Sequence, residues 1–456
     1  MPNMKNIGLM IANNEKKILF LIFLAALALR VSVVLNLPGE YMRPSADAAD
    51  YDNYATDILA GKGFVNHMTG LHTSYHAPLY PVFLALIYLL FGLKNYFAVM
   101  IIQCVMSACL PVIIFYIGKA MFNDKVGLLS AFWLAFYKPY IIFSSQGGPA
   151  FLLSENLFNV LFLLTALFML KRAFVAHSLK DKFILGILFG ILILTRAVLA
   201  LYPAILAFLI YKNRQTPASA IKEISVFFAA IAIVILPWTA RNYFVHRAFV
   251  PLTTQGGFGL ISGNNRFVNG GGQTDMKRML TPEQKSQYDK MNEVEKDKFL
   301  KKVAVDFMIK NYRQIPRACI KKISVLWDVF VNDYDLVTGS CVRRYNVWYS
   351  IVFMFSLFGI AKAVRPQFNI NILFFLSFFL YTTIIVVITG GDPRHRYYFE
   401  PLLIVLASLG IFTIYNGFKR KIFAYTAIGA IIGINLIFYL YSGSFLGLIR
   451  CAWRLL

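Results

Sequence analysis

"DAADYDNYATDILAGKGF" (residues 47–64), followed by "SYHAPLYPVFLALIYLLFG" (residues 74–92), is the part of the chain that decides its fold. It gathers four aspartates, Asp47, Asp50, Asp52 and Asp57, in a chain of 456 residues with 22 acidic side chains against 45 basic ones. Just before it lies "ILFLIFLAALALRVSVVLNL" (18–37), which is long and apolar enough to cross a bilayer. That run has no small-residue cleavage site near its end and reads as a retained span. Carboxylates concentrated just outside a first membrane span need a reason.

Composition excludes a soluble protein. Hydrophobic residues make up 58% of the chain and charged residues 15%. A chain of this length cannot bury that much apolar surface in water, so the fold class is an all-α polytopic membrane protein. The net charge of +23 would suggest a nucleic-acid partner in a soluble protein. Here the basic residues fall mostly in short loops between apolar runs, the positive-inside pattern, so no nucleic acid is expected. Arg30, the one charge in the first run, is expected to face other helices or snorkel, and no chemistry is assigned to it. The cysteines (104, 109, 319, 341, 451) form no CxxC pair and no His/Cys cluster. Whether Cys319 and Cys341 pair is left open.

Further apolar runs lie near 96–117, 126–144, 152–170, 183–196, 197–211, 222–238, 347–361, 369–389, 399–417 and 422–442. Counted at roughly 20 residues per crossing, they give about eleven transmembrane helices. The run 78–92 is short and reads as interfacial or re-entrant. Counting it as a span would move the clusters Lys119/Lys125, Lys171/Arg172 and Lys212/Arg214 to the outer face. The chain then divides into a transmembrane core, 1–238, including a first outer loop 38–95 with juxtamembrane helices. A long extracytoplasmic loop, 239–346, and C-terminal transmembrane helices, 347–456, follow. In the long loop, Thr281 and Pro282 mark a helix start, and Phe299, Val303, Phe307 and Ile309 recur at helical spacing. The expectation is amphipathic helices on the outer membrane surface; a solvated structural cap is the plainer alternative.

Motifs for a nucleotide-fed site are missing. There is no P-loop lysine motif, no HExxH and no GxSxG, and "GGFGLISG" (256–263) lacks the G-x-G-x-x-G spacing. An outer-face enzyme can instead take activated groups from lipid carriers. Transfer of a sugar from a polyprenyl phosphate needs a carboxylate to accept the acceptor's hydroxyl proton. It also needs cationic donors for the departing phosphate and a cavity that admits the lipid tail. A helix is expected from Ser45 or Asp47 to the Gly61 breaker, with Asp47 at its N-terminus. Asp47 is therefore either the base or only a cap. Asp50, Asp52 and Asp57 read as solvated helix-face residues.

These segments resemble the first outer loop of the GT-C membrane glycosyltransferases that use lipid carriers. That group includes protein O-mannosyltransferases, the aminoarabinose transferase of lipid A and galacturonosyl transferases of lipopolysaccharide core. The shared pattern is an aspartate, a tyrosine four residues later, A-x-x-[IL]-L-x-G-x-G-F and then [RK]-x-P-x-Y-P. The resemblance implies Asp47 as catalytic base, with Tyr51 and Tyr80 lining the substrate site and His76 standing where the family has a basic residue. "GGPAFLLSENLF" (147–158) is similar to the second outer loop and implies an assisting acid at Glu155. "LPWTARNYFVHRAFVPLTTQGGFGLISGNN" (236–265) resembles a segment of the bacterial branch and implies substrate contacts at Arg241 and Asn264. "GGDPRHRYYFEPLLIVLASLGI" (390–411) is similar to a segment before a late span and implies a phosphate site at Arg394, Arg396 and Tyr397, with Glu400 one turn from Arg396.

The resulting expectation is an inverting glycosyltransferase of the bacterial inner membrane, with its active site on the extracytoplasmic face. Its donor is a polyprenyl-phosphate sugar, its acceptor a hydroxyl on lipid A, a glycan or a protein, and membrane lipids surround it. No cofactor is required, because arginines can neutralise a monophosphate; a divalent metal held by the aspartate cluster with Glu155 is the alternative. The rival class is a transporter or lipid flippase without covalent chemistry, which would show repeated halves or charges buried mid-span.

Overall fold

The structure, a computed structural model, describes residues 4–37, 44, 47–141, 144–145, 148–149, 154–175, 178–214, 216–267, 275–334, 341–364, 369–391 and 393–440. The first half contains α1 (Met4–Leu35), α2 (Asp47–Leu59), α3 (Leu79–Phe91), α4 (Tyr96–Met121), α5 (Asp124–Phe136), α6 (Lys138–Ile141), α7 (Glu155–Phe168), α8 (Leu179–Thr195), α9 (Tyr202–Lys212) and α10 (Pro217–His246). The long loop contributes α11 (Gly256–Gly263), α12 (Met276–Met279), α13 (Pro282–Asp289), α14 (Glu293–Lys310) and α15 (Ile315–Trp327). Then come α16 (Val347–Ala363), α17 (Ile370–Thr389), α18 (Glu400–Gly417) and α19 (Lys421–Leu440). Among the described residues, the chain is helical apart from an isolated Val65–His72 bridge and two short antiparallel strand pairs, Ser144–Ser145 with Gly148–Pro149 and Phe330–Tyr334 with Cys341–Tyr345. The side chain of Cys341, and with it the pairing question, lies outside the described residues.

Among the described residues, 7 helices are long and apolar enough to cross a membrane: Asn14–Leu35, Tyr96–Met121, Glu155–Ala173, Pro217–His246, Ile370–Thr389, Glu400–Gly417 and Lys421–Leu440. The runs expected at 126–144, 183–196, 197–211 and 347–361 form the shorter helices α5, α8, α9 and α16. α5 ends at Phe136, where Tyr137 turns extended at φ −74° and ψ 107°. α8 ends where Arg196 turns extended, at φ −143°.

Close crossings hold the bundle together, because lipid tails give apolar helices no reason to leave lipid for one another. Gly186 and Gly190 of α8 lie against Phe227, Ala230 and Val234 of α10. Gly359 of α16 and Gly410 of α18 lie against each other's backbones. Arg30 faces other helices, as expected, and is fully buried. Its Nε donates to Ser107 Oγ at 2.8 Å, and its Nη1 donates to the carbonyls of Ala26 and Ala135 at 3.0 and 3.2 Å.

One end of the bundle gathers ion pairs from the basic loops. Lys119 meets Glu15 at 2.5 Å and Asp124 at 2.9 Å, and Glu223 meets Arg214 at 2.6 Å and Lys182 at 3.3 Å. α3 stays at the other end. At 13 residues it is only about 20 Å long, too short for a hydrocarbon core of about 30 Å. It lies along α2: Tyr80 packs on Tyr51 with ring centroids 5.0 Å apart, and Tyr88 donates to Asp52 at 2.6 Å.

The long loop has a small core of its own, in which Ile261, Met279 and Leu280 meet Leu300 and Ala304. The capping boxes of Thr281 with Gln284 and Asn292 with Glu295 start α13 and α14. Both helices form where the sequence places them, and Ile309 of α14 and Ile320 of α15 remain exposed.

Candidate active site

α2 begins at Asp47 and carries Asp47 and Asp50 in its first turn. Behind it an aromatic wall forms from residues that α2, α3 and the intervening loop bring together. The His76 ring is buried between Tyr51 and Tyr75, each 4.9 Å away between centroids, and His76 Nε2 lies 3.1 Å from Asp50 Oδ2. The Tyr80 hydroxyl accepts from Gln103 Nε2 at 2.7 Å. Burial first, then the charges of Asp47 and Asp50, push the Tyr75 phenol well above its ordinary value, although a bond to Gln255 works the other way. Tyr75 is therefore a neutral hydrogen-bonding group at the site.

The four aspartates are not equivalent. Asp50 is half-exposed, as expected of a helix-face residue. Asp52 and Asp57 are buried, which corrects their reading as solvated. Asp52 accepts from the hydroxyls of Tyr88 and Tyr96 at 2.6 and 3.0 Å and meets Lys94 at 3.5 Å; Asp57 meets His67 at 2.6 Å. These partners do for the carboxylates what water would otherwise do. Among the described residues, no three His, Cys, Asp or Glu side chains converge as a metal site.

Opposite this wall, α7 begins at Glu155, which is almost completely buried. Its Oε1 pairs with Nη2 of Arg196, the residue at which α8 ends. The Arg196 guanidinium also lies over the Tyr398 ring, 5.1 Å from its centroid, and within electrostatic reach of Asp47 and Tyr51. Leu157 packs against the Tyr51–Tyr80 cluster, and Leu194 packs against Tyr54, Phe64 and Trp238. Glu155 and Arg196, far apart in the sequence, thus pair within electrostatic reach of Asp47. Among the described residues, Arg196 Nε and Glu155 Oε2 are buried there without a hydrogen-bond partner. Beside them lies a small apolar cleft lined by Phe158, Val198, Leu199, Phe378, Tyr381 and Tyr398, among others.

The other expected site residues have different surroundings. Arg241 Nη1 donates to the Thr73 carbonyl at 2.7 Å and Ser74 Oγ at 2.9 Å, and its guanidinium covers the rings of Trp238 and Phe64. It fastens the loop that leads into His76. Asn264 sits in the long loop, where its Nδ2 donates to the carbonyls of Leu260 and Ile388, each at 2.7 Å. Arg396 is buried over the Tyr349 ring, 3.9 Å from its centroid. It donates to the Asp328 carbonyl and lies 3.7 Å from Glu400, the partner expected one turn on. Tyr397 donates to Asn156 Oδ1 at 3.0 Å, beside Glu155. The Arg394 side chain lies outside the described residues.

With this geometry in hand, comparisons place the chain. Residues 75–239 match the family model described as dolichyl-phosphate-mannose-protein mannosyltransferase. No curated protein matches. Among solved structures, the Archaeoglobus fulgidus oligosaccharyltransferase in complex with Zn and sulfate superimposes with a TM-score of 0.54 at 14% identity, covering 92% of this chain and 52% of that one. The archaeal oligosaccharyltransferase AglB from the same organism, in complex with an inhibitory peptide and a dolichol-phosphate, gives 0.53 at 14% identity, covering 94% and 54%. The chain has the GT-C fold. It spans about half the length of those structures. Within this GT-C fold the family match begins at Tyr75 and takes in His76, Tyr80, Glu155 and Arg196, but not Asp47. Arg196 was not singled out from the sequence. The available signal was a lone cation at the junction of two apolar runs, on the same side as Asp47, where a charge needs a partner.

Proposed function

We propose that this chain is an inverting glycosyltransferase that moves a sugar from a polyprenyl-phosphate carrier to an acceptor hydroxyl on a lipid, glycan or protein. The supporting observation is the Arg196–Glu155 pair within electrostatic reach of Asp47, with Arg196 Nε buried and, among the described residues, without a hydrogen-bond partner. Buried polar groups are rarely left unpaired, and the exceptions call for an explanation such as a ligand. In the reaction, the Asp47 carboxylate takes the acceptor's hydroxyl proton. The acceptor oxygen forms a bond to the anomeric carbon as the bond from that carbon to the phosphate oxygen breaks, with inversion. Arg196, held by Glu155 and Tyr398, meets the leaving phosphate. The apolar cleft beside Tyr398 takes the start of the lipid tail. The positive-inside bias of the ion-paired basic loops at the opposite end supports an extracytoplasmic site.

The test is transfer of radiolabelled sugar from defined polyprenyl-phosphate donors, mannose first, in proteoliposomes, comparing wild type with Asp47→Asn. Product from the wild type and none from a folded, donor-binding variant supports the reading. Equal product from both removes Asp47 from the mechanism. Movement of lipid across the bilayer without product from any donor replaces the transferase with a transporter.

A further inference from the structure

Lys322 lies on α15 of the long loop with only 1% of its surface exposed. Among the described residues, no carboxylate lies within ion-pair distance of it. Its ammonium donates instead to Asn264 Oδ1 at 2.9 Å and to the Val387 carbonyl at 2.7 Å. Burying an ammonium without a counter-charge is costly, and an apolar side chain of similar volume is often as stable or more so at such a position. A lysine here therefore calls for a reason other than packing.

Its partners supply one. Val387 and Ile388 belong to the last turn of α17, whose carbonyls have no partner within the helix and carry the negative end of its dipole. Lys322 takes the first of them and Asn264 Nδ2 takes the second, at 2.7 Å. Gly263 approaches the same helix end so closely that a Cβ there would collide with the Thr389 carbonyl. Further along α15, Trp327 Nε1 donates to Thr383 Oγ1 at 3.3 Å, and its ring lies 5.2 Å from that of Phe399. The Asp328 carbonyl then accepts from Arg396. α15 thus grips both sides of the turn between α17 and α18. That turn carries the short helix Pro393–Tyr398, and Tyr398 lies under the Arg196 guanidinium.

We propose that Lys322 is a positioning residue for the transfer reaction: by capping α17 it locks α15 against the 390–398 turn and so fixes Tyr398 under Arg196. This rests on the transferase reading above for its effect on rate, but not for its effect on the turn. Arg396 belongs to the same brace.

The experiment uses the full chain in proteoliposomes with Lys322→Met, which keeps volume and removes charge and donors, and Lys322→Arg, which keeps both. Two readouts are taken: turnover with whichever donor supports transfer, and amide hydrogen exchange of residues 388–399. Folded Lys322→Met should exchange faster in that segment. It should lose kcat, on the order of 10²-fold, as misplaced reacting groups do, and Lys322→Arg should recover part of the loss. Wild-type exchange and wild-type kcat in folded Lys322→Met would overturn the proposal. If Lys322→Met does not fold, Asn264→Leu removes the other strut without touching the charge. Faster exchange of 388–399 in it supports the brace, and unchanged exchange overturns it. If the wild type transfers nothing, the functional reading has failed, and the exchange data still decide whether the brace exists.

Discussion

Arg196 and Glu155 form an ion pair through one nitrogen and one oxygen, and among the described residues Arg196 Nε and Glu155 Oε2 are buried without a hydrogen-bond partner. If Arg196 Nε meets the leaving phosphate, Arg196→Lys keeps the charge but loses the planar fork. The donor-saturated transfer rate of Arg196→Lys should fall about 10²-fold, the usual cost of one lost donor to a developing oxyanion. Steady-state transfer kinetics check this; a rate within threefold of wild type, roughly 0.7 kcal/mol, would remove Arg196 from the mechanism.

Breaking the pair from the other side has a different expected signature. Glu155→Gln leaves the Arg196 guanidinium buried without its counter-charge. Removing one partner of a buried pair typically costs about 3–5 kcal/mol. Glu155→Gln should therefore lower thermal stability in detergent as well as activity, and Glu155→Gln with Arg196→Met should regain stability without regaining activity. A thermal-shift series over the single and double variants reads this directly.

The aspartates of α2 should separate into chemical and structural groups. Asp47→Asn is expected to lose about 10²–10⁴-fold in transfer with little change in stability, as when a general base is removed. Asp52→Ala removes the acceptor for the hydroxyls of Tyr88 and Tyr96, so it should destabilise by about 1–3 kcal/mol. Asp52→Asn keeps an acceptor for a tyrosine hydroxyl and should sit between wild type and alanine. Parallel melting curves and transfer rates distinguish the two groups.

The sequence carried the scaffold well, because membrane burial imposes a pattern along the chain that needs no knowledge of contacts. The starts of α2 at Asp47 and of α13 at Thr281-Pro282 are local signals read by local rules. The site was less legible where roles depend on contacts between distant segments. Asp52 looks like a surface residue until Tyr88 and Tyr96 close over it. The contacts of Arg396 with Tyr349 and Glu400 depend on chain segments that the sequence does not bring together. Arg196 was passed over because nothing beside it in sequence marks Glu155, 41 residues away, as its partner.

Arg241 gives the last prediction, because the structure commits it to holding a loop. Its Nη1 serves the Thr73 carbonyl and Ser74 Oγ, while Ser74 Oγ donates to Asn242 Oδ1 at 2.7 Å and its backbone N–H reaches Glu293 Oε1 at 2.9 Å. The loop so fastened leads directly into Tyr75 and His76 on the aromatic wall. Arg241→Ala should therefore loosen residues 64–76 before it weakens donor binding. Limited proteolysis should cut that segment faster, by about the tenfold that a loss of roughly 1.4 kcal/mol in local stability produces, with donor KM changed less than kcat. Arg241→Lys, which keeps one donor toward Thr73, should be cut at an intermediate rate. A donor KM raised tenfold or more with unchanged proteolysis would instead place Arg241 on the carrier phosphate.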